Sequence, residues 1–226
     1  MKYKLRDNPI LYPHQIKLLS LFFASSFAKS FFFTGGSALS AFYLAHRESQ
    51  DLDLFSLQPF NTLFLRTTIQ EIADKTDSTM TINIQSQTYN EIFLKNKKEG
   101  WTQKIDIVQE QPKHFGKILH VGNIPVDSLK NIATNKILAV FGRLEPKDYI
   151  DLFVICTKTD LSFGELFGLA KEKDAGLSEF YFANTITDVD KFETLPKMKI
   201  PFDKEAFVVF YKDLSRKLLL KVKPKK

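Results

Sequence analysis

The chain has 226 residues, of which 44% are hydrophobic and 26% charged, and it carries a formal net charge of +6. This composition is ordinary for a protein that buries a core, so it excludes a chain that is disordered throughout. The single cysteine, Cys156, excludes an internal disulfide. Because the sequence has no secretory signal and no apolar run of membrane-spanning length, we expect a soluble, cytoplasmic protein with no membrane partner.

The spacing of apolar residues predicts alternating helices and strands in the first half of the chain. We expect helices over 13–30, 37–47 and 60–76, and strands over 31–36, 51–56, 79–87, 89–96, 102–109 and 117–121. After Pro125 helical spacing dominates. Helices are predicted from Ser128 to Val154, with a break near Pro146, and over 162–173, 178–186 and 204–222.

These elements predict an α/β (α+β) fold, in which a mixed sheet with flanking helices is followed by a mainly helical half. We place the boundary near Pro125, which gives an α/β domain over 1–125 and a helical domain over 126–226.

Two aspartates stand out in the strand "DLDLFS". Residues at i and i+2 of a strand point to one face, so Asp51 and Asp53 project together while Leu52 and Leu54 face the core. Neighbouring carboxylates repel each other unless a cation neutralises them. Magnesium is bound by one or two carboxylates together with substrate phosphates, so the pair predicts a Mg²⁺ site.

A third carboxylate lies in the alternating segment "KIDIV", where Asp106 and Lys104 share the face opposite Ile105 and Ile107. If this strand lies beside "DLDLF", three acids converge. Such a site suits two metal ions, one activating the attacking hydroxyl and the other steadying the leaving pyrophosphate.

The turn before this strand contains Gly35, Gly36 and Ser37. Glycines let the backbone approach a ligand closely, and the N–H groups that open a helix attract anions. We therefore interpret the turn as a phosphate cradle, although Gly-Gly alone is also typical of a plain turn and Asp-x-Asp of an exposed strand edge. Arg47 either contacts the substrate or favours the end of a helix through its charge.

A second group of charged residues lies in "NKILAVFGRLEPKDYIDLF". Lys136 and Arg143 are two helical turns apart, and Asp148 and Asp151 share one face of the next helix. Two interpretations stay open. The residues form a surface salt-bridge pattern, or Lys136 contacts triphosphate while an aspartate orients a base, a sugar or the lysine.

The segment "GGSALSAFYLAHRESQDLDLF" resembles the leading motif of the AbiEii-type nucleotidyltransferases, which are toxins of abortive-infection and related toxin–antitoxin systems in the DNA polymerase β-like superfamily. "KIDIV" is similar to the family's third-acid strand, and "NKILAVFGRLEPKDYIDL" to its lysine, arginine and aspartate segment. Together the motifs span residues 33 to about 155.

The resemblance implies a role for each matching residue. Gly36 and Ser37 would bind the nucleotide, and Asp51 and Asp53 would bind metal. Asp106 would be the third metal ligand and the general base, and Lys136 would contact phosphate. From the residue pattern or from the resemblance, the residues expected to bind the nucleotide are Gly35, Gly36, Ser37, Arg47, Lys136, Arg143, Asp148 and Asp151.

The resemblance further implies Mg²⁺, with Mn²⁺ as an alternative, and a nucleoside triphosphate substrate. Some members transfer nucleotides to the 3′ end of tRNA, and a cognate antitoxin usually accompanies them. A phage-defence toxin acting on tRNA is therefore our first hypothesis, with the helical domain completing the nucleotide pocket. The alternatives are transfer to a small molecule or a protein hydroxyl, and a catalytically dead binding module that keeps the fold.

A basic C-terminal segment is compatible with an RNA acceptor, since lysines attract phosphates, but it is equally typical of a solvated tail. Its basic residues are Lys212, Arg216, Lys217, Lys221, Lys223, Lys225 and Lys226.

Overall fold

Seven strands form one mixed sheet in a computed structural model that describes residues 4–5, 8–110 and 113–222. The strands are β1 Phe31–Thr34, β2 Leu52–Ser56, β3 Thr79–Gln85, β4 Tyr89–Asn96, β5 Trp101–Gln109, β6 Leu119–Val121 and β7 Ile124–Val126. They belong to the first of two compact units, Met1–Leu129 and Lys130–Lys226. The division falls at Leu129, whereas the sequence placed it near Pro125.

The strand order is β3-β4-β5-β2-β1-β7-β6. Strand β2 pairs antiparallel with β1 and parallel with β5, and β7 runs parallel to β1. Strands β3, β4 and β5 form an antiparallel meander. The α/β fold class predicted from the sequence is therefore confirmed, and the Asp-x-Asp strand lies in the interior of the sheet.

Three helices of this unit flank the sheet: α1 Pro13–Ala24, α2 Gly35–Leu39 and α3 Thr62–Lys75. A π-helical turn over Ser40–Leu44 continues α2. Pro13 begins α1, where its missing N–H removes no bond, and the Asn61 side chain accepts from two backbone N–H groups at the start of α3. Leu52, Leu54, Ile105 and Ile107 are all buried, as alternation predicts.

Several predicted boundaries were wrong, including those of the first two helices. The predicted helix over 13–30 ends at Ala24 and is followed by a 3₁₀ turn, and the helix over 37–47 begins at Gly35 and ends at Leu44, where Ala45 turns left-handed with φ 49°. Strand β7 was not predicted, because it has three residues with Pro125 at its centre. A proline in a short run argues against a strand, since it cannot donate to the ladder.

The second unit is helical among its described residues. Its helices are α4 Leu129–Gly142, which begins one residue before the unit, α5 Pro146–Lys158, α6 Phe163–Lys173, α7 Glu179–Thr185 and α8 Lys204–Val222. Tyr149 and Tyr211 are fully buried, and the Tyr211 hydroxyl donates to the Tyr149 carbonyl at 2.7 Å. In the part of the chain that the structure describes, no helix is long and apolar enough to cross a membrane.

Replacement of Leu54 by alanine tests the sheet core. Leu54 is 1% exposed in β2, so its loss should lower the free energy of unfolding by about 2–5 kcal/mol through lost burial and an unfilled cavity. Leu63→Ala is the matched control, because Leu63 is 69% exposed and should cost less than about 0.5 kcal/mol. Urea unfolding, followed by the fluorescence of Trp101, the only tryptophan, measures both variants. Equal losses in the free energy of unfolding would contradict the burial of Leu54 in the sheet core.

Candidate active site

Neighbouring strands bring Thr34, Asp53 and Asp106 into one row across the sheet. Thr34 of β1 is the register partner of Asp53 of β2, which in turn is the register partner of Asp106 of β5. Adjacent strands lie about 4.8 Å apart, and paired residues of parallel strands share a face. The predicted adjacency of the two acidic strands is confirmed, and Asp53 and Asp106 project from the face opposite the buried leucines and isoleucines.

Gly35 contacts the Asp53 side chain so closely that no larger residue fits. A Cβ built on Gly35 would overlap the Asp53 carboxylate and would lie 2.9 Å from the Asp53 Cβ, which the backbone holds in place. The φ of Gly35 is +71°, in the left-handed region that favours glycine. Two independent constraints, close approach and backbone conformation, therefore explain this glycine.

The rest of the turn is tied to the segment before β2. The Ser37 hydroxyl lies 2.9 Å from the Ser49 hydroxyl and donates to the backbone carbonyl of Asp51. Arg47 is buried, donates to the Glu48 carbonyl at 2.9 Å, and lies against Gly36, where a Cβ would overlap its guanidinium. The turn and the segment before β2 therefore bring together the predicted residues 35–37, 47, 51 and 53. The Ser37 hydroxyl connects the turn to the backbone just before β2.

Asp106 is surrounded by three side chains from β4 and β5. Lys104 donates to one carboxylate oxygen of Asp106 at 2.8 Å, and the Tyr89 hydroxyl donates to the other at 3.1 Å. Lys104 also pairs with Glu91 at 2.9 Å. Sequence reasoning missed Tyr89 and Glu91, because only the β4–β5 register, which pairs Glu91 with Asp106, reveals them.

Burial and neighbouring polar groups shift the pKa values of Tyr89, Lys104 and Glu91. Burial, and then the charge of Asp106, raises the pKa of Tyr89 to about 12, so the hydroxyl remains a donor at neutral pH. Burial disfavours the Lys104 ammonium, but its bonds to Asp106 and Glu91 outweigh that cost and raise the pKa of Lys104 above its usual range. A hydrogen bond from Asn83, and then one from Lys104, lowers the pKa of Glu91.

The predicted three-acid metal centre is not formed as expected. Within residues 4–5, 8–110 and 113–222, no three His, Cys, Asp or Glu side chains are gathered so that they could hold a metal ion. Asp51 lies immediately before β2, which begins at Leu52, and its backbone carbonyl accepts from the Ser37 hydroxyl. What fits a divalent cation is the pair Asp53 and Asp106 beside the Gly35 cradle, since Mg²⁺ is commonly held by one or two carboxylates and substrate phosphates.

The charged residues predicted in the second unit form one network, which is buried except for Arg143. The Lys136 ammonium lies 2.7 Å from an oxygen of Asp148 and 2.6 Å from one of Asp151. Arg143 Nε lies 2.7 Å from the other Asp148 oxygen. Lys136 is 8% exposed and both aspartates are fully buried, so the surface salt-bridge interpretation was wrong. Both aspartates pair with Lys136, and the predicted contact of Lys136 with triphosphate stays a prediction.

Protonation of Asp148 is set by opposing effects. Burial disfavours its charged form, but Lys136 and then Arg143 favour it more strongly, so the pKa of Asp148 lies below its usual value. The carboxylate is therefore ionised at neutral pH. Burying this charge is favourable only while its partners remain.

One known family model matches the chain over most of its length. Residues 17–218 match the family model described as "Nucleotidyl transferase AbiEii toxin, Type IV TA system". The match extends well beyond the three motifs and ends within α8. No curated protein sequence matches significantly.

Solved structures share the fold at low sequence identity. JHP933 from Helicobacter pylori is 16% identical with a TM-score of 0.58, over 91% of this chain and 90% of its own. A candidate nucleotidyltransferase from H. pylori is 15% identical with a TM-score of 0.57, over 95% of this chain and 100% of its own. The nucleotidyltransferase toxin MenT4 from Mycobacterium tuberculosis H37Rv has a TM-score of 0.49 at 10% identity, over 92% and 86%.

Gly35→Ala tests the close approach to Asp53. The new Cβ would displace the Asp53 side chain in addition to straining the backbone. Gly100→Ala is the matched control, since Gly100 has a φ of +74° but nothing within 4 Å of its Cβ position, so it should lose only the strain, about 1 kcal/mol. Urea unfolding should show a loss for Gly35→Ala that is at least about twice as large. Equal losses would contradict the contact.

Lys136→Met tests the buried network. Removing Lys136 leaves two buried carboxylates short of a partner and should cost about 3–5 kcal/mol at neutral pH. Because the native pKa of Asp148 is depressed, the stability it contributes is present above its unfolded pKa and falls as acid protonates it. The loss in the variant, relative to the wild type, should therefore shrink toward about pH 4.

Lys130→Met is the control for this experiment. Lys130 pairs with Glu165 at 2.6 Å, with side chains 39% and 43% exposed, so its loss should cost about 0–1 kcal/mol. Urea unfolding followed by circular dichroism at pH 7.5 and 4.5 measures both variants. A loss in Lys136→Met that grows on acidification would contradict the assignment.

Proposed function

The chain belongs to the AbiEii family of nucleotidyltransferase toxins, and we propose that it transfers a nucleoside monophosphate from a nucleoside triphosphate to the 3′ end of an RNA, with tRNA as the first acceptor to test. The observation that carries the proposal is the pair of register partners, Asp53 and Asp106, beside the Gly35 cradle. Two adjacent carboxylates can hold a divalent cation that neutralises the charge of a triphosphate, which is how metal-assisted phosphoryl transfer proceeds.

The proposed reaction is a displacement at phosphorus. The acceptor hydroxyl oxygen attacks the α-phosphorus, the bond from that phosphorus to the oxygen bridging to the β-phosphate breaks, and pyrophosphate leaves. The hydroxyl proton passes to a carboxylate, for which we propose Asp106. Tyr89 and Lys104 donate to the two oxygens of Asp106 and orient it.

We propose a divalent cation, Mg²⁺ or Mn²⁺, held by Asp53 and Asp106 together with oxygens of the triphosphate. A bound cation would neutralise part of the triphosphate charge and polarise its oxygens. The protein's own contribution is to hold the acids together. The Ser37 hydroxyl ties the Asp51 backbone to the turn, and the β2–β5 register aligns Asp53 with Asp106.

The predicted nucleotide-binding residues Gly36, Ser37 and Arg47 stay proposals. In the second unit, we propose that Asp148 and Asp151 orient Lys136, as its two short ion pairs favour. Its neighbour Arg143 is 55% exposed and is the residue of that network with charge at the surface for a phosphate.

The RNA acceptor is supported by the family resemblance and by basic side chains on α8. Lys212 pairs with Asp190 at 2.9 Å and Arg216 with Asp213 at 3.3 Å, so part of that charge is already compensated. The predicted basic residues Lys223, Lys225 and Lys226 lie outside the described residues. We further propose a cognate antitoxin as partner and growth arrest, in phage defence, as the biological outcome.

A labelling experiment tests the proposal. The purified chain is incubated with Mg²⁺, total tRNA and each of the four α-³²P-labelled nucleoside triphosphates. Label should appear on tRNA with one or more of them. Asp53→Ala should reduce transfer by about 100-fold or more, since it removes a carboxylate from the reacting site. Asp160→Ala, at an exposed aspartate of the other unit, should transfer like the wild type.

Each outcome of the labelling experiment separates the hypotheses. Label on a protein or a small molecule instead of tRNA would retain the transferase and overturn the RNA acceptor. The absence of any transfer, together with no thermal stabilisation by Mg²⁺ and triphosphate, would favour a catalytically dead binding module.

A further inference from the structure

A buried aspartate that the motifs do not include lies immediately after β7. Asp127 is fully buried, and one of its carboxylate oxygens accepts a hydrogen bond from the Thr34 hydroxyl at 2.6 Å. The other oxygen lies 2.8 Å from His114 Nε2. Thr34 is the residue directly before Gly35, so this carboxylate holds the residue that leads into the turn.

The backbone of Asp127 makes a second connection, to the far end of the same segment. The Tyr43 hydroxyl donates to the Asp127 carbonyl at 2.6 Å, and the Asp127 N–H donates to the Phe33 carbonyl at 2.9 Å. Burial, and then the charge of Asp127, raises the pKa of Tyr43 to about 12, so the hydroxyl stays a donor. Asp127 therefore holds the helical segment 35–44 at both ends.

Burying the Asp127 carboxylate costs desolvation free energy, which a purely structural role would not require. A buried carboxylate must be hydrogen-bonded to offset its desolvation, and apolar residues of similar size often stabilise a core equally well. Two of the hydrogen bonds, from Thr34 and Tyr43, connect Asp127 to the start and the end of one segment, which carries Gly35, Gly36 and Ser37. Polar networks of this kind specify one geometry more than they add stability.

We propose that Asp127 is a positioning residue, which acts through Thr34 and Tyr43 to hold the Gly35–Ser37 turn at the distance from Asp53 that binding of the triphosphate requires. The inference rests on the proposed function. It adds to it a residue outside the motifs that sets affinity for the nucleotide without touching it. His114 contributes by satisfying the second carboxylate oxygen.

The matched pair Thr34→Val and Thr34→Ser tests the proposal in the labelling assay. Valine keeps the shape and removes the donor, whereas serine keeps the donor. Thr34→Val should raise the KM for the triphosphate about 10-fold or more, as a misplaced turn would, and leave the KM for the acceptor unchanged. Thr34→Ser should restore the wild-type KM. Tyr43→Phe, which removes the other connection, should move the same parameter in the same direction.

The readouts separate failure of this inference from failure of the proposed function. If the wild type transfers no label to any acceptor, the proposed function fails. If the wild type is active and Thr34→Val lowers the melting temperature while both KM values stay unchanged, the network is structural only and the inference is overturned. An equal rise in both KM values would overturn it as well, since a shifted turn acts on the triphosphate alone.

Discussion

The site depends above all on the pairing of β2 with two neighbours of opposite direction. The antiparallel ladder to β1 puts Asp53 beside the end of β1, where the glycine turn begins, and the parallel ladder to β5 puts it beside Asp106. A register shift of one residue on either side would send one of the carboxylates to the apolar face. The buried residues Leu52 and Leu54 prevent such a shift, so the hydrophobic core of the sheet is also what aligns the acids.

The charged groups of the two units differ in how deeply they are buried. In the first unit, Asp106 is partly exposed, and its partner Lys104 is also partly exposed and is shared with Glu91. In the second unit, Lys136 is enclosed by two fully buried aspartates. If Lys136 lost either aspartate, an uncompensated charge would remain buried in a low dielectric. We therefore regard this network as a fixed element of the fold.

Local patterns predicted much of this structure, and pairings between distant segments account for the rest. Alternation in "DLDLFS" and "KIDIV" correctly assigned the inward leucines and isoleucines, because alternation depends only on neighbouring residues. It did not reveal that β2 begins at Leu52, one residue after Asp51. Glu91 and Asp127 were missed for a related reason. Each reaches the site through a register or a hydrogen bond to a distant segment, and β7 is too short to give a periodic signal.

The hydrogen bond between Thr34 and Asp127 joins residues 93 positions apart, and β1 pairs with β7 over a similar separation. Closing so long a loop is slow compared with forming helices, and on the ribosome it must await synthesis of the second partner. A nascent chain that already carries the glycine turn and both acidic strands therefore still lacks the contact that fixes the turn. The site matures only after β7 has emerged, which delays its assembly until Asp127 has been synthesised.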